Sequence, residues 1–216
     1  MAGKYIHQSI RRIEDPELIT GRVKFLDDIE LPDMLHAAFK RSDYAHARIL
    51  SLDVSEARAL PGVIGVWTAA DFGDYIKAGP LQVPPPTAIK GATYTARTTI
   101  PLATDKIRYS GEAVAVVIAE SRYIAEDALD LIYLDVDPLP AVVDLEKALE
   151  PGSALVHDDT TSNEAGHVVQ EFGNFAEAVA QADLVIKKKF KINRVAGAAM
   201  ENRGMIVEWD ERAQMM

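Results

Sequence analysis

The chain contains no cysteine. This excludes disulfide bridges, thiolate zinc sites, iron–sulfur ligation and a cysteine nucleophile from within it. Long apolar runs are missing as well. The longest, Ala113-Val-Ala-Val-Val-Ile-Ala119, falls far short of the roughly 20 residues a spanning helix needs. The first residues, Met1-Ala-Gly-Lys-Tyr-Ile-His-Gln-Ser-Ile-Arg-Arg12, lack the apolar centre of a signal peptide. A cytoplasmic location without membrane insertion is therefore the expectation. Positive charge is also in deficit, with 23 Lys and Arg against 33 Asp and Glu, a net charge of −10. A surface of that sign repels phosphate backbones and argues against a nucleic-acid partner. No Gly-x-Gly-x-x-Gly follows a strand, and there is neither a Gly-x-x-x-x-Gly-Lys-Ser/Thr loop nor a Gly-x-Ser-x-Gly elbow. A dinucleotide cradle, a P-loop and an α/β-hydrolase nucleophile are thus unsupported. The five histidines, His7, His36, His46, His157 and His167, show no metal-ligand spacing, so no metal site is assigned.

What is present reads as an ordinary globular composition, 48% hydrophobic and 26% charged, with length enough for a sizeable core. The first stretch, to about Ile29, is polar, with turns expected at Asp15-Pro16 and Gly21. Strands are expected over Leu35–Lys40, Arg48–Asp53, a buried Val63–Trp67, Lys106–Tyr109 and Ala113–Ala119. Ser55 is placed to cap a short helix ending at Pro61-Gly62, and Ser121 to cap a second. In that second helix Ile124, Ala128, Leu131 and Ile132 share one stripe. A following strand, Leu131–Val136, would complete a β–α–β unit. Between Asp71 and Pro101 order weakens, and Pro84-Pro85-Pro86 favours extended, polyproline-like backbone.

Pro138-Leu-Pro140 reads as a boundary. Beyond it Asp144 caps a short helix over Leu145–Leu149, and Val156–Gly166 is a polar loop. Asn174 with Glu177 has capping-box spacing before an apolar face of Phe175, Val179 and Ala182. Leu184–Ile192 is expected as a strand with Val185, Lys187, Lys189 and Lys191 on one solvated face. Met205–Trp209 reads as another strand, Asp210–Ala213 as a turn, and Gln214–Met216 as the start of a returning strand. Such an ending leaves an unpaired edge, so the chain is expected to be the front part of something larger.

Two polar clusters stand out. Arg41-Ser-Asp-Tyr-Ala-His-Ala-Arg48 packs two guanidiniums, a carboxylate and an imidazole between strands; a tied-down turn explains it as well as a binding site does. His157-Asp158-Asp159 reads as a solvated turn. The second cluster, Met200-Glu-Asn-Arg-Gly204, lies in a mostly apolar stretch, where Glu201 is expected to be partly buried. Burial would demand partners such as Arg203, Arg194 or backbone N–H groups. Structural pairing and a role near an active site both remain open for it.

Several stretches together resemble a known family. They are Arg12-Ile-Glu-Asp-Pro16, Leu18-Ile-Thr-Gly21, Phe25-Leu-Asp-Asp-Ile29, Met34-Leu-His-Ala37, Arg41–Ile49 and Ala59-Leu-Pro-Gly-Val63. Leu102–Tyr109, Gly111–Val117, Ala125-Glu-Asp-Ala128, Leu139-Pro-Ala-Val142 and Met200-Glu-Asn-Arg203 follow in order. In this order they resemble the N-terminal part of the molybdenum-cofactor-binding large subunit of the xanthine dehydrogenase, aldehyde oxidase and aerobic carbon monoxide dehydrogenase family. Asp43 and Asn202 stand where the family commonly has Pro.

The resemblance implies an α+β fold: an N-terminal arm over residues 1–19, an α/β hammerhead domain over 20–137, and an incomplete molybdopterin-binding domain over 138–216. It implies oxidative hydroxylation of an aldehyde, an N-heterocycle or carbon monoxide with oxygen from water. A molybdenum-bound hydroxyl attacks carbon, hydride passes to a sulfido ligand, and a glutamate acts as general base. Electrons leave through iron–sulfur clusters to flavin on partner subunits. The Gly-rich cofactor segments, the general-base glutamate and a glutamine near the metal are all expected beyond position 216. No catalytic residue is therefore assigned, and the chain alone is expected to hold no cofactor. Glu201 and Arg203 are the candidates for a supporting role at the cofactor. A free-standing interaction module docking through its proline-rich loop, or a non-functional fragment, are the other readings.

Overall fold

The structure, a computed structural model, describes residues 5, 8–75, 92–94, 100–170, 172–193 and 195–216. Contacts divide the chain into two compact units, Met1–Met34 with Ile186–Met216, and Leu35–Val185.

Among the described residues, the first unit holds one short helix, α1 (Asp15–Ile19), and a single 3-10 turn, Leu26–Asp28. Asp15-Pro16 thus opens a helix instead of a turn. Pro16 is the second helical residue, where proline's fixed φ suits the first turn and its missing N–H is one that has no intrahelical partner anyway. At the other end of this unit the expected turn forms. Asp210 and Met215 bridge through Asp210 N–H to Met215 O (2.9 Å), and Asp210 Oδ1 accepts the Arg212 and Ala213 N–H groups. The strands expected on either side do not form. Within 186–192 and 205–209 the residues are solvent-exposed and in no ladder, because no described strand offers them an edge. The same holds for Leu184 and Val185 in the second unit, so the expected two-faced lysine strand is absent and all four lysines are exposed.

The second unit contains β1 (His36–Arg41), β2 (Ala47–Asp53), α2 (Ser55–Ala59), β3 (Val63–Thr68) and α3 (Ala69–Phe72). These are followed by β4 (Thr93–Tyr94), β5 (Lys106–Ile107), β6 (Ala113–Ala119), α4 (Arg122–Asp130), β7 (Tyr133–Pro138), β8 (Gly166–His167) and α5 (Phe175–Gln181). Two three-stranded sheets, β1-β6-β3 and β5-β2-β7, carry the core, and β4 pairs β8. Every pairing is antiparallel. The expected β–α–β unit is therefore corrected: β6, α4 and β7 follow one another, but β6 and β7 belong to different sheets. The proline run at 84–86 lies outside the described residues.

Alternation along β6 explains how the two sheets share one core. Ala115, Val117 and Ala119 face α2 and α4, where Val54, Ala57, Ala125, Ala128 and Ile132 close the layer. Val114 points the other way and packs with Ala47, Ala103 and Ile107 of the second sheet region. Alanines on both sides of the helix–sheet contact let α4 approach closely. Ser121 Oγ accepts the Ile124 N–H at 3.2 Å, the expected cap. Ser55, by contrast, is the first residue of α2 and not its cap; its own N–H donates to Asp53 Oδ1 at 2.9 Å. Asp144 Oδ1 accepts the Glu146 and Lys147 N–H groups as expected, though the helix it starts is a single 3-10 turn, Lys147–Leu149. Asn174 likewise caps α5 through the Glu177 N–H, but the helix buries no residue and Phe175 stands in solvent.

Candidate functional site

Glu201 is exposed, which corrects the expectation of a partly buried carboxylate. Its Oε1 accepts the Leu26 backbone N–H at 2.9 Å, across 175 positions of sequence. Leu26 needs that acceptor because it opens a 3-10 turn whose first N–H groups have no internal partner. The turn is fixed from its own side too, since Phe25 N–H donates to Asp28 Oδ2 at 2.9 Å. Gly204, three residues beyond Glu201, packs so closely on the Leu26 side chain that a Cβ there would overlap its Cδ2. Glu201 and Gly204 thus hold Leu26 by its backbone and its side chain. Phe25, Leu26, Asp27, Asp28, Met200, Glu201 and Asn202 line a cleft of about 170 Å³ at this junction. Arg203 is exposed and makes no hydrogen bond or ion pair with another described residue, so it does not neutralise Glu201. Arg194 lies outside the described residues.

The Arg41–Arg48 cluster lies in the Leu35–Val185 unit and is more buried. Arg41 Nη1 donates to Gly111 O (2.8 Å), and its guanidinium sits 5.8 Å from the Phe39 ring centroid. Ser42 N–H donates to Glu112 O and Gly111 N–H to Ser42 O, which joins the two loops edge to edge. These contacts make Arg41–Arg48 a tied-down turn. Glu112 is buried, and its Oε2 accepts the Arg108 N–H at 2.6 Å. Burial raises its pKa, against the lowering effect of the Arg108 N–H, the Arg108 charge and the Tyr109 N–H. Lys106 is also buried, and its ammonium meets Asp158 Oδ1 at 2.7 Å. That hydrogen bond holds the Asp158 carboxyl below its ordinary value. His157-Asp158-Asp159 keeps Asp158 and Asp159 exposed, as expected of a solvated turn, and the Lys106 contact ties that turn down. Nothing in the sequence marked Lys106 or Glu112 as buried, because charged residues normally point outward.

A family model described as "Aldehyde oxidase and xanthine dehydrogenase, a/b hammerhead domain" matches residues 20–140. The chain belongs to this family. A second model, "Molybdopterin cofactor-binding domain", matches residues 156–216. Among similar proteins, the nicotine 6-hydroxylase large subunit of Paenarthrobacter nicotinovorans is 39% identical over 95% of this chain and 25% of its own length. The carbon monoxide dehydrogenase large chain of Afipia carboxidovorans is 34% identical over 93% of this chain and 25% of its own length. The crystal structure of quinoline 2-oxidoreductase from Pseudomonas putida 86 superposes with a TM-score of 0.63 at 42% identity, covering 73% of this chain and 19% of that one. The chain therefore spans about a quarter of the length of the curated relatives it matches. The mixed α and β architecture agrees with hammerhead and partial cofactor-binding domains of molybdenum hydroxylase large subunits.

The family carries a molybdenum cofactor, and the cleft at Leu26 does not fit it. The cleft at Leu26 is lined by three carboxylates, Asp27, Asp28 and Glu201, which repel a phosphate-bearing pterin. Among the described residues no group of three or more His, Cys, Asp or Glu is placed to hold a metal ion. No described helix is long and apolar enough to cross a membrane.

Proposed function

We propose that this chain forms the scaffold and docking portion of a molybdenum hydroxylase large subunit that oxidatively hydroxylates an aldehyde, an N-heterocycle or carbon monoxide in the cytoplasm. In this reading residues 1–19 are an arm, 20–137 the hammerhead domain and 138–216 the start of the first cofactor-binding domain. The observation that carries it is the succession of the two family matches, hammerhead then cofactor-binding, within a chain that aligns with a quarter of the nicotine 6-hydroxylase large subunit and of the carbon monoxide dehydrogenase large chain. Catalysis then needs the remaining segments of the large subunit, together with iron–sulfur and flavin subunits. The relatives' own designations, "large subunit" and "large chain", support the multi-subunit assembly. Glu201 serves the cofactor region indirectly, by fixing the Leu26 turn, and Arg203, two residues on, offers a cation with no ion-pair partner among the described residues.

The test is purification of the chain alone and, separately, with the later segments of a matching large subunit and its iron–sulfur and flavin subunits. Molybdenum content and oxidation of carbon monoxide, an aldehyde and an N-heterocycle are measured for both. The expected result is no metal and no turnover for the chain alone, with both restored in the combination. Molybdenum and aldehyde oxidation in the isolated 216-residue chain would refute the proposal.

A further inference from the structure

Strand β7 ends at Pro138, which pairs with Ala47 of β2 but has no N–H to donate. The next donor along the chain, Leu139 N–H, reaches His46 O at 2.9 Å. Pro140 again lacks a donor, but its carbonyl lies 2.7 Å from His46 Nδ1. A carbonyl only accepts, so Nδ1 must carry the proton. His46 is 5% exposed, and its Nε2 is buried with no hydrogen-bond partner among the described residues. One imidazole and its own backbone oxygen therefore hold two successive residues just where the proline-interrupted ladder would fail.

A matching contact lies further along. The loop at Val156–Thr160 is held by Lys106, 2% exposed, whose ammonium meets Asp158 at 2.7 Å. Just beyond the second anchor, Asn163 reaches back and closes the segment on itself. Its Oδ1 accepts Val156 N–H, and its Nδ2 donates to Ala148 O and Ala154 O. In both anchors a buried side chain reaches an exposed residue, Pro140 at the last position of the hammerhead match and Asp158 beyond it.

We propose that residues 139–163 are a strap clasped onto the β5-β2-β7 sheet by His46, protonated at Nδ1, at one end and by Lys106 at the other. The strap carries the chain from the hammerhead match, ending at 140, into the cofactor-binding match, beginning at 156, without a free linker. Neither cofactor binding nor turnover is needed for it, so it stands or falls apart from the proposed function.

The test uses the full chain, with amide hydrogen exchange resolved by residue and the imidazole tautomer read from nitrogen-15 spectra of the wild type. Proton density on Nδ1 of His46 is expected, and a proton found on Nε2 alone would overturn the proposal even if every variant failed to fold. Exchange at Leu139 is expected to rise roughly fivefold to tenfold in His46→Gln, the usual effect of losing one hydrogen bond. His46→Asn, whose amide nitrogen stands near the place of Nδ1, is expected to restore the slow rate. Lys106→Met, which keeps the buried volume apolar, is expected to speed exchange at Val156 and Thr160 while leaving Leu139 slow. Wild-type rates at Leu139 in His46→Gln, or at Val156 and Thr160 in Lys106→Met, would refute the corresponding clasp.

Discussion

Replacing Gly62 with alanine separates backbone strain from packing at one position. Gly62 ends the α2 turn at φ +85°, and its carbonyl accepts Glu120 N–H at 2.9 Å, tying that turn to the end of β6. A left-handed backbone costs a residue with a Cβ about 1–2 kcal/mol. A Cβ here would also stand 2.7 Å from Ile124 Cδ1, on the stripe of α4 that packs the sheet. Moving that side chain off its rotamer adds about 1–3 kcal/mol. The expected loss is thus about 2–5 kcal/mol, the sum of these two costs. Gly111 is the control: its φ is +88°, but no atom lies within 4 Å of its missing Cβ. Gly111→Ala should therefore lose only the backbone part, about 1–2 kcal/mol. Urea denaturation of the Leu35–Val185 unit, followed through Trp67 fluorescence in a Trp209→Phe background, measures both. Ile124→Val removes the clashing atom, so combining it with Gly62→Ala should cost less than the sum of the two single changes. Equal losses for Gly62→Ala and Gly111→Ala, or strict additivity with Ile124→Val, would refute the packing argument.

Glu112→Gln should leave stability at pH 7 unchanged or slightly raised. Because burial raises the Glu112 pKa, its folded-state penalty grows as pH rises above the ordinary 4.5, so the wild type alone should lose stability across that window in urea titrations. Asp71 behaves oppositely: the Thr68 N–H and hydroxyl, then Arg58, lower its pKa. Its contribution is present above pH 3.8 and is lost on further acidification, so Asp71→Asn should flatten the acid limb of thermal melts run from pH 5 to pH 2. Glu201→Ala should speed amide exchange at Leu26 several-fold, while Arg203→Ala should leave it unchanged. A reversed order would remove the account of the Leu26 turn.

Much of the strand framework was legible, because β1, β2, β3 and β6 carry β-branched or apolar residues at the right period and end at Pro, Gly or Ser signals. The Ser121 cap was legible for the same local reason. What local pattern could not supply was partnership. Leu184–Ile192 and Met205–Trp209 have strand composition, yet no described edge completes them, and a strand without a partner is only extended chain. Likewise the β6-α4-β7 succession reads as a parallel crossover until pairing sends β6 and β7 to different sheets. At the candidate site, family resemblance pointed to Glu201, but its acceptor role toward Leu26 depends on two segments 175 positions apart. Lys106 and Glu112 were invisible because burial of a charge is decided by a partner, not by its neighbours in sequence.

The place of β6 in its sheet bears on how the chain is made. Both its neighbours, β1 and β3, precede it in sequence, and neither pairs with the other. During synthesis those two strands leave the ribosome as separate open edges, with no sheet available until Ala119 has followed Thr68 out. At the usual 5–20 residues per second that interval lasts roughly 3–10 s. Through it the apolar faces of β1 and β3 depend on chaperones or on their own solubility, and folding begins only when the middle strand arrives to zip both edges at once.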